Sequence, residues 1–357
     1  MDLFKTKGLN VDLHPRVDGT LLLLNMLDKV REGHQLEKTD MKKILSHPDI
    51  KQWLRAYGWI GNASTKFEKI LRSLHAEPPS DLGQWGNKIV EGIRIAYENP
   101  EKMRDNLQYI QSYDWNVAVQ KALAYLPENT KLEPMMIVTV DGFNGGMFRH
   151  DTVFLSLVFF DPSQVDMKTF AHEFHHMGVD YWWQNHPLIH KFMEEPKKEV
   201  KEYYFVKLFT YLVSEGMANA FCSPQAITKI NGEGPWIAQH NEMITIYENR
   251  LDVLFNRLEQ LLKQILQESK DDLSIPFERF TFDKDGRGIP PGHFLSGRMV
   301  QAMIDASSIS QDQIIGLIKD PFNFLNLYNK AAKEENLRSF PRFLLQATEE
   351  FLAKLNA

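Results

Sequence analysis

The sequence has little cysteine: Cys222 is the only one in 357 residues. No intrachain disulfide can form, so a small disulfide-stapled fold is excluded and a buried core must hold the chain together. A lone thiol also fits a reducing compartment. Charge of one sign is scarce as well. With 41 basic and 47 acidic residues the net charge is −6, which gives no electrostatic footprint for nucleic acid or an anionic membrane. Long hydrophobic runs are missing. The stretch Leu21-Leu22-Leu23-Leu24 is soon followed by Asn25, Asp28 and Lys29 and is too short to span a bilayer. The opening residues Met-Asp-Leu-Phe-Lys lack a basic region followed by an apolar run, so a cytoplasmic protein is expected. There is no internal repeat, low-complexity tract, Gly-rich phosphate loop, serine elbow or Cys/His dyad.

What is present is an ordinary globular composition, 43% hydrophobic, 11% aromatic and 25% charged. From about Asp18 to Lys121 the pattern has helical period, broken at His47-Pro48, Gly58 to Gly61, Glu77-Pro78-Pro79 and Asn99-Pro100. Leu21, Leu24, Leu27 and Val30 form one apolar face, and Phe67, Ile70, Leu71 and Leu74 another. At Pro134 the character changes. Met135 to Val140 and Val153 to Phe160 read as neighbouring strands, with turn residues Asp141 to Gly146 between them. Ser163 or Asp166 can cap the helix that follows. Helices are then expected from about Lys198 to Phe221 and from about Ile237 to Gln267, with two or three more after the Gly/Pro-rich stretch Gly286 to Gly292. The fold class is therefore α+β, predominantly α. Three parts are expected: a helical 1–130, a central 131–222 and a helical 223–357.

The central part carries His172-Glu173-Phe174-His175-His176. A helix has about 3.6 residues per turn, so residues four apart share a face. His172 and His176 can thus direct two imidazole nitrogens at one ion. Glu173 sits beside the first histidine, within reach of a water in an open coordination position, without being a ligand itself. His175 points about 100° away on the helix and cannot easily share the site. His186 and His190 fall beyond the expected helix end and read as surface residues. Chance occurrence of the motif is weighed down by its context: it follows an apolar strand, and Phe170, Phe174 and Met177 give the helix an inward face.

A catalytic zinc site needs three protein ligands and an open position. The metzincin pattern would need Gly at 179 and His at 182, but the chain has Val179 and Trp182. Asp180 is one turn past His176, where an exposed helical Asp is the commoner outcome. Glu215 is the better candidate. It lies among Phe205, Leu208, Phe209, Leu212, Met217 and Phe221, where a carboxylate costs several kcal/mol unless paired or metal-bound. Gly216 and Ala218 would let its helix approach the motif helix closely.

His172-Glu173-x-x-His176 with a Glu on a later helix resembles the gluzincin group of metallopeptidases. The form Ser214-Glu215-Gly216-x-Ala218 is similar to that of little-characterised bacterial zinc-dependent peptidases within it. The resemblance covers about Met135 to Phe221. It implies a gluzincin-like zincin core, a small sheet with an edge strand plus the motif helix, flanked by helical N- and C-terminal parts that complete a cleft. It implies Zn2+ held by His172, His176 and Glu215, with Glu173 as general base. It also implies a peptide or protein substrate that adds as a strand to an edge strand, a position Val153 to Phe160 fits. Many gluzincins carry an Asp four residues after the third ligand to orient a ligand histidine. Here that residue is Asn219, whose amide oxygen can accept the Nδ1–H without the charge. Gluzincins often stabilise the oxyanion with a Tyr or His from the C-terminal region. In Pro290 to Met299, Phe294 stands near where similar families have Tyr and cannot donate, so His293 and Arg298 are the candidates. Two other readings stay open from the residues: a zinc hydrolase of a non-peptide amide or ester, and a helical interaction protein with a non-catalytic metal site.

Overall fold

The structure is a computed structural model that describes residues 13–56, 63–72, 74, 83–142, 145–162, 170–194, 200–232, 235–267, 272–282 and 289–356. The expected helix breaks at Gly58 to Gly61 and Glu77-Pro78-Pro79, and the caps Ser163 and Asp166, lie outside those residues. Contacts divide the chain into two compact units. One comprises Met1–Gln120 with Glu133–Met177, the other Lys121–Leu132 with Gly178–Ala357.

The first unit is built from α1 (Asp18–Arg31), α2 (Lys38–Ser46), α3 (Pro48–Ala56), α4 (Ala63–Arg72), α5 (Gly83–Glu98), α6 (Pro100–Ser112) and most of α7 (Asn116–Leu123). Two of its boundaries follow from proline. His47 precedes Pro48 and is extended, with ψ 131°, because a residue before proline is pushed out of the helical region. Pro100 takes the first position of α6 after Asn99, where a missing N–H costs nothing. The inward face of α1 is Leu23, Leu24, Met26 and Leu27, and that of α4 is Phe67, Ile70 and Leu71. Leu21 and Val30 are only half-buried.

A three-stranded sheet follows: β1 (Met135–Thr139), β2 (Gly146–Arg149) and β3 (Thr152–Ser156), in the order β1-β3-β2. β3 runs parallel to β1, with Met135 opposite Thr152, and antiparallel to β2, with Phe148 opposite Val153. This corrects the expectation of an edge strand over 153–160. The strand ends at Ser156 and is the central one. Its residues are all buried, and a continuous apolar run is what a strand covered on both faces requires. β2 was not expected, because Gly145-Gly146 reads as turn. The actual turn is His150-Asp151, both at positive φ (48° and 58°), as a two-residue type I′ hairpin loop demands. On the outer side of β1, among the described residues, Arg16 forms an isolated bridge and the Thr20 hydroxyl donates to the Val138 carbonyl. Arg16 donates its N–H to the Met136 carbonyl and accepts from the Val138 N–H, and its side chain pairs with buried Asp49 at 2.6 Å. The helix α8 (Phe170–Trp183) begins in this unit, and the division at Met177/Gly178 falls inside it.

The second unit holds the rest of α8, then α9 (Pro187–Glu194), α10 (Lys201–Met217), α11 (Pro235–Glu248), α12 (Leu251–Leu266), α13 (Ser274–Thr281), α14 (Pro291–Asp305), α15 (Gln311–Gly316), α16 (Phe324–Glu334) and α17 (Arg342–Asn356). The stretch expected as one helix over 237–267 is two, separated at Asn249-Arg250. Four helices follow Pro291 rather than two or three. α10 is buried nearly all round, with Phe205, Leu208, Phe209, Leu212, Val213 and Met217 inside, the signature of a central core helix. It packs on α9, α12, α14 and α16. A Cβ on Gly216 would lie 2.9 Å from the Ser296 carbonyl oxygen of α14. This glycine therefore admits a close approach of α14. After Met217 the helix widens into a π turn, Ala218–Cys222, closed by the Ser223 N–H on the Ala218 carbonyl. Among the described residues no helix is long and apolar enough to cross a membrane.

Candidate metal centre

α8 presents the motif as its spacing demands. Phe170 anchors the first turn against Trp115, with ring centroids 4.7 Å apart, and Phe174 is fully buried. That packing fixes the rotation of the helix. His172 and His176 then meet on one face: their Nε2 atoms are 2.8 Å apart and the rings stand at 87°. His172 and Glu173 are nearly buried. His175 points elsewhere, as its offset of about 100° requires, into the interior, where it is fully buried. His186 is half-buried and His190 exposed, both past the end of α8.

Glu173 is held by a contact from outside its own helix. Its Oε2 accepts the Phe148 N–H from β2 at 2.8 Å, so a strand amide orients the carboxylate. No side-chain pattern announces this contact, and sequence reasoning missed Phe148 for that reason.

Glu215 occupies α10 one turn after Tyr211. Its Oε2 lies 3.2 Å from His293 Nε2 on α14. Tyr211 joins the same group, with its hydroxyl 2.6 Å from His293 Nδ1 and 3.3 Å from the Thr281 carbonyl oxygen. Burial, followed by the negative charge of Glu215, pushes the Tyr211 phenol well above its usual range, so it keeps its proton. Tyr211 was also missed, though the i, i+4 relation to Glu215 that reveals the histidines would have revealed it. Asn219 sits on the π turn, buried, and its amide donates to the His293 carbonyl at 3.4 Å. Arg298 is half-buried, about 140° around α14 from His293, and among the described residues it forms no ion pair with Glu215.

His172, His176 and Glu215 each offer one ligand atom of the kind that holds a divalent metal. Two neutral imidazoles and a carboxylate are a donor set that catalytic zinc sites use. Zinc–nitrogen bonds of about 2.0–2.1 Å at a tetrahedral angle set two nitrogens roughly 3.3 Å apart. The observed 2.8 Å is close to that. The residues fit the metal.

No curated protein and no solved structure matches the chain. A family model does, over residues 41–337 of the 357. With the motif histidines paired on one face of α8, the chain belongs to the family described as "Putative zinc dependent peptidase (DUF5700)".

Proposed function

We propose that the protein is a zinc-dependent peptidase of gluzincin type, with His172, His176 and Glu215 as metal ligands and Glu173 as general base. The observation that carries this reading is the pair of Nε2 atoms 2.8 Å apart on α8, beside a carboxylate steadied by a strand amide. The family assignment supports zinc and a peptide bond as substrate. When bound, zinc supplies Lewis acidity that polarises a carbonyl and acidifies water.

The chain's own groups do the rest. With Oε2 of Glu173 engaged by Phe148, Oε1 is the atom assigned to take the proton of the attacking water and pass it to the leaving amine. His293, whose Nε2 is near Glu215, is assigned as donor to the developing oxyanion. Arg298 is not. The substrate backbone suits the outer side of β2. In an antiparallel pair alternate residues turn their N–H and C=O away from the partner strand. In β2 these are Gly146 and Phe148, since the Phe148 N–H reaches Glu173. An extended peptide that adds beside β2 thus passes the general base, as strand addition would have it.

The test is metal content together with a peptide-library digest. Wild type should bind one zinc and cut peptides at mapped sites, and His172→Ala and Glu215→Gln should lose the metal. Zinc retained in both variants, or a zinc-loaded chain that leaves the library intact, would overturn the reading.

A further inference from the structure

We propose that α3 clamps the β2–β3 hairpin on both sides of its turn, and that Arg149, one jaw of the clamp, is a positioning residue for Glu173. The turn is the starting point. His150 and Asp151 both take positive φ, 48° and 58°, and a residue with a Cβ stays in that region only when its surroundings keep it there. Two contacts from α3 flank the turn. Arg149 Nη1 donates to the Ala56 carbonyl at 2.8 Å. On the other side, Gln52 Nε2 donates to Thr152 Oγ1 at 2.5 Å, and that hydroxyl gives its own proton to the His150 carbonyl at 3.2 Å. Arg149 and Thr152 stand opposite each other in the sheet, so their side chains share a face and meet the same helix. Ala56 lies in the last turn of α3, where the helix dipole favours a cation.

The clamp reaches the chemistry through one backbone group. Phe148 directly precedes Arg149, and its N–H holds Oε2 of Glu173 at 2.8 Å. β2 is four residues long and, among the described residues, pairs with β3 alone. Its place therefore depends on the hairpin, and the hairpin on the clamp. Releasing Arg149 lets the turn leave positive φ. The strand next to the turn loosens first, and Phe148 lies there. Glu173 then loses the amide that orients it. A direct contact of Arg149 with substrate would act on KM, whereas a positioning role acts on kcat. The consequence for turnover rests on the peptidase reading above; the hold on the Phe148 N–H does not.

In the full chain labelled with 15N at phenylalanine, the Phe148 amide signal is identified by its loss in Phe148→Leu, and its hydrogen-exchange rate reads the bond to Glu173. Arg149→Ala should exchange about tenfold faster there, the scale of one hydrogen bond. Its kcat on a cleaved library peptide should fall by a similar factor with KM unchanged. His150→Asn together with Asp151→Gly supplies a pair that takes a type I′ turn at little cost. Added to Arg149→Ala, that pair should slow the Phe148 exchange back toward wild type. An unchanged Phe148 exchange in Arg149→Ala overturns the proposal, as does a raised KM with kcat intact or a turn replacement that rescues nothing. Should Arg149→Ala fail to fold, Gln52→Ala tests the other jaw by the same exchange, and an unchanged rate there overturns the proposal as well. Exchange and peptide cleavage are read separately, so a chain with the expected exchange that cleaves nothing overturns only the peptidase reading.

Discussion

Replacing Glu173 by glutamine and by alanine separates the chemical role of the side chain from its structural one. Glu173 is 7% exposed and accepts the Phe148 N–H through Oε2. Glutamine keeps the volume and an amide oxygen that can accept the same N–H, but cannot carry a proton away from water. The loss of a general base costs about 10²–10⁴-fold in turnover, which is roughly 3–5.5 kcal/mol of barrier. Stability should hardly change, since the hydrogen bond survives and a nearly buried charge is removed. Alanine removes the acceptor as well and leaves the part-buried strand amide without it, a cost of about 1–2 kcal/mol. Both variants should therefore be inactive, with folding stability in the order wild type and glutamine together, alanine below. Peptide cleavage gives kcat/KM, and urea titration gives the midpoint at constant slope. Glutamine activity within tenfold of wild type would refute the general-base assignment. Equal destabilisation by both would refute the role of the Phe148 bond.

Three other outcomes follow from the packing. Gly216→Ala puts a Cβ 2.9 Å from both the Ser296 carbonyl oxygen and Val300 Cγ2; forcing α10 and α14 apart should cost about 1–3 kcal/mol, read as a lower urea midpoint. Burial pushes the Cys222 thiol up to about 12 against the lowering by Lys121, so a thiol reagent at neutral pH should label it only along the unfolding transition. Hydrogen bonds from Ser307 and Ser308 hold the Glu334 carboxyl down to about 2 from 4.5. Its folded pKa is depressed, so its contribution is full above about pH 4.5 and is lost as pH falls toward 2. Glu334→Gln should flatten the fall in urea midpoint across that window, and an unchanged slope would contradict a stabilising role for the Ser307 and Ser308 hydrogen bonds.

The parts of the candidate site that lie on helices were legible because helical spacing is a local property. His172, Glu173 and His176 need only one turn of α8, and Glu215 betrays itself as a carboxylate within an apolar helix. The sheet was harder. Whether a strand is central or at an edge depends on partners far along the chain. The clue in Val153 to Leu155, apolar on both faces, was outweighed by the resemblance that asked for an edge. β2 hid behind Gly145-Gly146, and its turn, His150-Asp151, lacks the Asn-Gly or Asp-Gly form that marks such loops. The break between α11 and α12 contains neither glycine nor proline. The Phe148 contact with Glu173 runs through a backbone N–H, which any residue supplies.

The Arg16 bridge on β1 has a bearing on how the protein behaves in solution. The Met136 carbonyl and the Val138 N–H are bonded to the Arg16 backbone, the Val138 carbonyl accepts the Thr20 hydroxyl, and Asp49 pairs with the Arg16 side chain. Without the Arg16 contact the Met136 carbonyl and the Val138 N–H would lose their partner next to apolar side chains, the kind of border along which chains stack. Damage at Arg16 or Asp49, neither of which has any part in the chemistry, would then show itself as self-association and precipitation, with turnover intact in whatever stays monomeric.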